Sequence, residues 1–210
     1  MNKLGDLSCN EFLTELASAA PAPGGGGGAA MAGALAAALA SMVANLTIGK
    51  EKFADREPEI KELLQQAEAE RMRLLELVDE DAAVFNSFMS CYKLPKTTDE
   101  EKAARTAAIR AAAKQAATVP LNIARSSFAV LQLADRLVVA GNPGVITDGA
   151  CSGLLARAAL RCAEYNVRIN LGLTKDEEWN AQVAAELVQL LADAEALETR
   201  LLAVTDKALQ

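Results

Sequence analysis

A chain without histidine has to do acid–base chemistry with carboxylates, lysine, tyrosine or cysteine, and the 210 residues here contain no histidine. A carboxylate becomes useful near neutral pH when burial raises its pKa. Asp148 is the first candidate. It follows the breaker Gly141-Asn142-Pro143-Gly144 and heads the small, apolar run Gly149-Ala150-Cys151-Ser152-Gly153-Leu154-Leu155, which should shield it from water. The same position suits a helix N-cap, and a cap beside a cleft can fill both roles. Asn166 and Asn170, four apart, share one helix face amid Val167, Ile169 and Leu171, as amides lining a cavity or a polar subunit contact would. The run Gly24–Gly28 opens onto an apolar stretch, where free N–H groups and a helix dipole favour an anion; the competing reading is a turn whose glycines allow close helix packing. The run lacks the Lys-Ser/Thr of a phosphate-binding loop and follows no strand pattern. Lys93 and Lys96 flank Pro95, either to receive a carboxylate or to solubilise a loop. Asp79, Glu80 and Asp81 read as a solvated acidic face, although Asp81 falls on the side of Val78 and Phe85. Cys9, Cys91, Cys151 and Cys162 show no C-x-x-C spacing, so they read as reduced thiols, mostly in the core, and no metal site is expected.

These residues have to be positioned by helices. Ser8 caps a short helix over about 10–20, and Pro21-Ala-Pro-Gly24 through Gly28 breaks the chain. An apolar helix is expected from Ala29 to Ile48, ending at Gly49 with Lys50 near the negative end of its dipole. Pro58 fits the first turn of a helix nearly thirty residues long, in which Ile60, Leu63, Leu64, Ala67, Leu74, Leu75, Val78, Ala82, Phe85 and Met89 recur at helical spacing. Asp99 is expected to cap a helix toward Thr118, which Pro120 kinks or restarts before a further stretch to Val139. Helical pattern resumes at Asp148 and lasts to Leu171. Thr174 or Asp176 then starts a final helix, with Val183, Leu187, Leu190, Leu191, Ala194, Leu197, Leu201 and Val204 on one face. Nothing alternates with period two, and no fixed-period repeat is visible.

The composition fits an all-α single domain. Hydrophobic residues make up 51% of the chain but aromatics only 4%, so a core must be filled by thin side chains on backbones that approach closely, helix against helix. A formal charge of −7 argues against nucleic acid or an anionic membrane surface as the main partner. Residues 16–49 carry no charge, but alanine, glycine and two prolines make a weak membrane span, and a buried central helix is the better reading. The first residues, MNKLGDLSCNEF, lack the apolar core of a signal peptide, which makes the cytoplasm the expected location.

The segment PAPGGGGGAAMAGALAAALASMVANLTIGK resembles the signature of the formiminotetrahydrofolate cyclodeaminase and methenyltetrahydrofolate cyclohydrolase family, related to the C-terminal part of formiminotransferase-cyclodeaminase. Later blocks, DEDAAVFNSFMSCYKLPK, AARTAAIRAAAKQAATVPLNIA and GNPGVITDGACSGLLARAALRCAEYNVRINL, resemble that family in the same order, so the likeness covers most of residues 10–173. It implies an up-and-down bundle of long antiparallel helices, a homodimer or larger oligomer, and a folate site near the subunit contact. The implied reaction is closure of formiminotetrahydrofolate to 5,10-methenyltetrahydrofolate with release of ammonia. The alternative is hydrolysis of the methenyl compound to 10-formyltetrahydrofolate. Tetrahydrofolate would be substrate, with no cofactor. On this resemblance Asp148 is the catalytic residue, and Gly24, Gly25, Gly26, Gly27, Lys50, Lys93, Lys96, Asn142, Thr147, Asn166 and Asn170 contact substrate. Two departures stand out: Gly27 occupies the serine position of the usual Pro-Gly-Gly-Gly-Ser, and the usual Ser-Asp pair reads Thr147-Asp148. The missing serine hydroxyl keeps open a reading of another class, a folate-binding or structural oligomer without turnover.

Overall fold

The computed structural model describes residues 3–210, and its regular elements are all helical. Six α-helices follow in order: α1 (Cys9–Leu16), α2 (Gly25–Asn45), α3 (Glu57–Cys91), α4 (Asp99–Ala140), α5 (Ile146–Thr174) and α6 (Glu177–Ala208). A single-turn 3₁₀ segment, Leu4–Asp6, precedes them, and two more, Glu51–Phe53 and Pro143–Val145, lie in the α2–α3 and α4–α5 connections. The up-and-down arrangement is visible in the pairs that cross it. Ser152 Oγ donates to the Ala36 carbonyl at 2.7 Å and Asn142 reaches Leu46, so α2 and α5 run antiparallel. Gly33 lies against Leu74, Arg136 meets Glu59, and Asn170 meets Ala116, which makes α3 antiparallel to α2, and α4 antiparallel to α3 and to α5.

Alanine allows this closeness. In α2, Ala30, Ala36, Ala37, Ala40 and Ala44 are fully enclosed, and a Cβ on Gly33 would stand 3.0 Å from Leu74 and Ser127. The uncharged helix is long and apolar enough to cross a membrane by composition, with mean hydropathy 1.7, and 61% of that window is buried inside the bundle. Its apolarity is therefore accounted for by packing against α3, α4 and α5.

Local signals set most helix ends. Ser8 with Glu11 and Thr98 with Glu101 form capping boxes, and Asp176 caps α6 by accepting from Trp179 N–H at 3.0 Å. Gly49 takes the left-handed φ of 76° that ends the turn after α2. Four expectations need correction. The helix expected from Ala29 already starts at Gly25, because burial against neighbouring side chains outweighs the roughly 1 kcal/mol per residue by which glycine disfavours helix. The α4 cap is Thr98 rather than Asp99, and α4 runs unbroken through Pro120. Asp148 is no N-cap: α5 begins at Ile146, which places Asp148 within its first turn. The cysteines are not core thiols, since Cys9, Cys151 and Cys162 are exposed and Cys91 is half-buried. Cys151 and Cys162 lie on the outer side of α5, where no other element covers them in a single chain.

Candidate functional site

A cavity of about 340 Å³ opens where the start of α2 meets the last third of α3, the middle of α4 and the end of α5. Gly24, Gly25, Gly26, Asp81, Phe85, Phe88, Val119, Pro120, Asn166, Asn170 and Leu173 line it. The volume suits a small heterocycle, and the lining is mostly apolar with a few convergent polar groups, as ligand sites usually are.

Its carboxylate is Asp81, which the sequence placed in a solvated acidic run. The three members of that run part company. Asp79 accepts from the Leu4 N–H at 2.6 Å, Glu80 pairs outward with Arg73, and Asp81 turns toward the glycine helix. A Cβ on Gly26 would lie well inside 3.0 Å of all three carboxyl atoms of Asp81, so only glycine leaves room for the carboxylate at the head of α2. Burial pushes the Asp81 pKa above the usual aspartate range, and the N–H of Gly27 works in the opposite direction by favouring the charged form. The signal that could have marked Asp81 was its side of α3, shared with Val78 and Phe85.

The two asparagines belong to the cavity rather than to a separate surface. Pro120 has no N–H, so the carbonyl of Ala116 loses its helical partner; Asn170 Nδ2 supplies one at 2.9 Å and also donates to the Asn166 carbonyl at 2.8 Å. Asn166 Nδ2 donates to the Cys162 carbonyl at 2.8 Å. Both N–H groups of Asn170 are used in this way, which leaves its oxygen as an acceptor, while Asn166 keeps one N–H and its oxygen, with Nδ2 at 3.4 Å and Oδ1 at 3.5 Å from where a Cβ on Gly25 would be. The cavity thus presents mainly acceptors, one carboxylate and two amide oxygens, beside one N–H of Asn166. Such a set receives N–H donors and positive charge. The glycine-led helix start, expected to receive an anion, is taken by the protein's own Asp81 carboxylate.

The remaining expected residues lie elsewhere within one chain. Asp148 and Asn166 sit on the same line of α5, eighteen residues and five turns apart, about 27 Å. Asp148 is half-buried, and Thr147 beside it is exposed. They share the far end of the bundle with Lys50 and Asn142. Asn142 is committed structurally: its side chain donates to the Leu46 carbonyl at 3.1 Å and accepts from Gly144 N–H at 3.0 Å, while its own N–H meets Thr47. Lys93 and Lys96 are exposed at the tip of the α3–α4 hairpin. The expected constellation therefore divides between two ends: Gly24, Gly25, Gly26, Asn166 and Asn170 line the cavity, Gly27 supports it from behind, and Asp148 does not join them in a single chain.

A model of the formiminotransferase-cyclodeaminase family matches residues 8–207. The chain belongs to this family. Among its relatives, the methenyltetrahydrofolate cyclohydrolase of Methylorubrum extorquens is 44% identical over 197 residues, which cover 94% of this chain and 95% of that one. The formimidoyltransferase-cyclodeaminase of Sus scrofa is 34% identical across 87% of this chain, and the match spans 34% of its length, so the family domain here corresponds to about a third of that protein. The crystal structure of a formiminotetrahydrofolate cyclodeaminase from Thermotoga maritima superposes with a TM-score of 0.88 at 30% identity, covering 98% of each chain. The all-α architecture is therefore that of the family.

Proposed function

We propose that the protein is a folate one-carbon enzyme whose reacting carbon is bound in the cavity beside Asp81. The observation that carries this reading is the half-buried carboxyl, held at the head of α2 with a raised pKa among acceptor oxygens. In 5,10-methenyltetrahydrofolate the carbon between two nitrogens is a cationic amidine. Asp81, Asn166 and Asn170 offer that cation and the donor-rich pterin edge negative charge and lone pairs.

Hydrolysis to 10-formyltetrahydrofolate is the reading we place first, supported by the 44% identity to a cyclohydrolase over nearly the whole of both chains. Water adds to the methenyl carbon as Asp81 takes its proton. The tetrahedral carbon then breaks its bond to N5 as the proton passes from Asp81 to that nitrogen, and the hydroxyl gives up its remaining proton to solvent as the formyl C=O forms. Cyclodeamination, supported by the likeness to the Thermotoga enzyme across 98% of both chains, uses the same group: N10 attacks the formimino carbon, and its proton moves through Asp81 to the departing ammonia. Neither sequence needs a cofactor. A cytoplasmic homo-oligomer belongs to the same reading.

Mixing the purified protein with each folate and following the methenyl absorbance tests it. Accelerated loss of added methenyl compound supports hydrolysis, and its appearance from the formimino compound supports cyclodeamination. Binding of folate without either change would establish the non-catalytic reading that Gly27 raises.

A further inference from the structure

The cavity beside Asp81 is followed, along the same two helices, by a second pocket of opposite character. Ala116, Asn170 and Leu173 line the cavity; Arg110, Ala111 and Lys114 of α4 line the second pocket with Thr174 at the end of α5 and Lys175 just beyond it. Where the cavity presents a carboxylate and amide oxygens, this pocket gathers three cations, Arg110, Lys114 and Lys175. Its two carboxylates are Asp176 and Glu177. Asp176 is already engaged: it caps α6 by accepting from the Trp179 N–H, and it holds Lys114 Nζ at 2.5 Å. Lys114 also lies 5.6 Å from the centre of the Trp179 ring, so its charge is fixed in place. Arg110 and Lys175 are exposed, and among the described residues neither pairs with a carboxylate. Three cations against two carboxylates leave the pocket positive, and the head of α6 adds the favourable end of its dipole. Lys175 stands in the left-handed conformation at φ 56°, where glycine or asparagine usually ends a helix, so a lysine is placed there at a cost in backbone energy.

The two neighbouring sites match a molecule that is positive at one end and negative at the other. The methenyl carbon of folate belongs to a cationic amidine, and the glutamate at the other end carries two carboxylates. An aminobenzoyl ring and an amide separate them by about 9 Å at ordinary bond lengths. Ala116 and Arg110 are six residues apart on α4, about 9 Å along its axis, and Asn170 and Lys175 are about 8 Å apart at the end of α5. Leu173, Ala116 and Ala111 line the way between, a thin apolar strip along which a flat ring fits.

We propose that this pocket binds the glutamate carboxylates of folate, with Arg110 and Lys175 as the contacts and Lys114, held by Asp176, adding fixed positive charge. The proposal rests on the cavity being the folate site. It moves the role considered for Lys93 and Lys96 from the hairpin tip to the α4–α5 groove. Contacts made equally in the bound substrate and in the transition state change affinity and leave the chemical step alone.

The double variant Arg110→Gln/Lys175→Asn tests this, because it removes both charges and asparagine tolerates the left-handed φ. Turnover is compared on 5,10-methenyltetrahydrofolate and on the same compound with its glutamate replaced by methylamine, which ends in a neutral amide. For the glutamate compound KM is expected to rise about tenfold, the scale of two exposed charge contacts, with kcat within about twofold. For the neutral compound both constants should stay as in the unaltered protein. An unchanged KM for the glutamate compound overturns the proposal and leaves the pocket to free anions such as phosphate. An equal rise for both compounds also overturns it, since the substitutions would then be acting on the cavity itself. Should the unaltered protein turn over neither compound, the proposed function fails separately, and equilibrium dialysis makes the same comparison by binding. Tighter retention of the glutamate compound by the unaltered protein, lost in the double variant, supports the proposal; equal retention of both compounds by the unaltered protein overturns it.

Discussion

Asp81 sits in a conflict between burial, which favours its neutral form, and the N–H groups at the head of α2, which favour its anion. In the proposed reaction that balance suits it to carry a proton, and it depends on two glycines. Gly26→Ala places a Cβ where the carboxyl now is, so turnover should fall at least about tenfold while the fold, judged by circular dichroism, survives. Gly27→Ser adds the hydroxyl that the family resemblance leads one to expect here, with its Cβ 3.9 Å from Asp81 Oδ2 and 3.2 Å from Pro23, which must yield slightly. A new donor stabilises the anion, so the acid limb of the pH–rate profile should move to lower pH in Gly27→Ser; an unchanged or upward shift would show that the hydroxyl does not reach Asp81. The sign for stability follows from the raised pKa. Folded protein holds the Asp81 proton more tightly than the unfolded chain does, so stability gained in acid is lost as pH rises from the ordinary aspartate value through the raised one. Asp81→Asn should therefore show a flatter dependence of melting temperature on pH above about pH 4.

At the level of elements, the cavity wall is made by an imperfection in α4. Pro120 deletes one helical hydrogen bond, and Asn170 repairs it from the neighbouring helix, which fixes the Asn170 amide in the cavity wall. Pro120→Ala restores the N–H and competes for the Ala116 carbonyl. Its melting temperature should rise, since proline in a helix interior costs up to about 3 kcal/mol, while KM rises because Asn170 is released; calorimetry and substrate titration check both. Conversely, Asn170→Leu leaves a carbonyl unpaired and should cost about 1–3 kcal/mol in chemical denaturation. This is also where the sequence was readable and where it was not. Periodicity, caps and breakers located every long helix, because those signals are local. Pro120 was visible as a kink or restart but not as the partner of Asn170, since the two lie fifty residues apart. Asn166 and Asn170 were legible as one face; that the face closes a cavity with Asp81 depends on the crossing of four helices, which no spacing reveals. In the glycine run propensity alone disfavours helix and points to a loop, whereas close packing decides for helix.

For the whole molecule, alanine and glycine at the centre set how near the helices come, and that nearness is what brings Asp81 to the head of α2. Ala37, fully enclosed in α2, has no room to grow, so Ala37→Leu should destabilise by about 1–3 kcal/mol in denaturant titration. The resemblance places the expected folate site beside Asp148, whereas within one chain α5 separates Asp148 from the cavity by its length. Comparing Asp81→Asn with the unaltered protein on 5,10-methenyltetrahydrofolate, by absorbance and at equal folate occupancy, tests most directly that the reacting carbon lies in this cavity. We expect folate binding and the helical signal to persist while turnover falls at least about 100-fold; a folded variant that turns over at the normal rate would contradict the account.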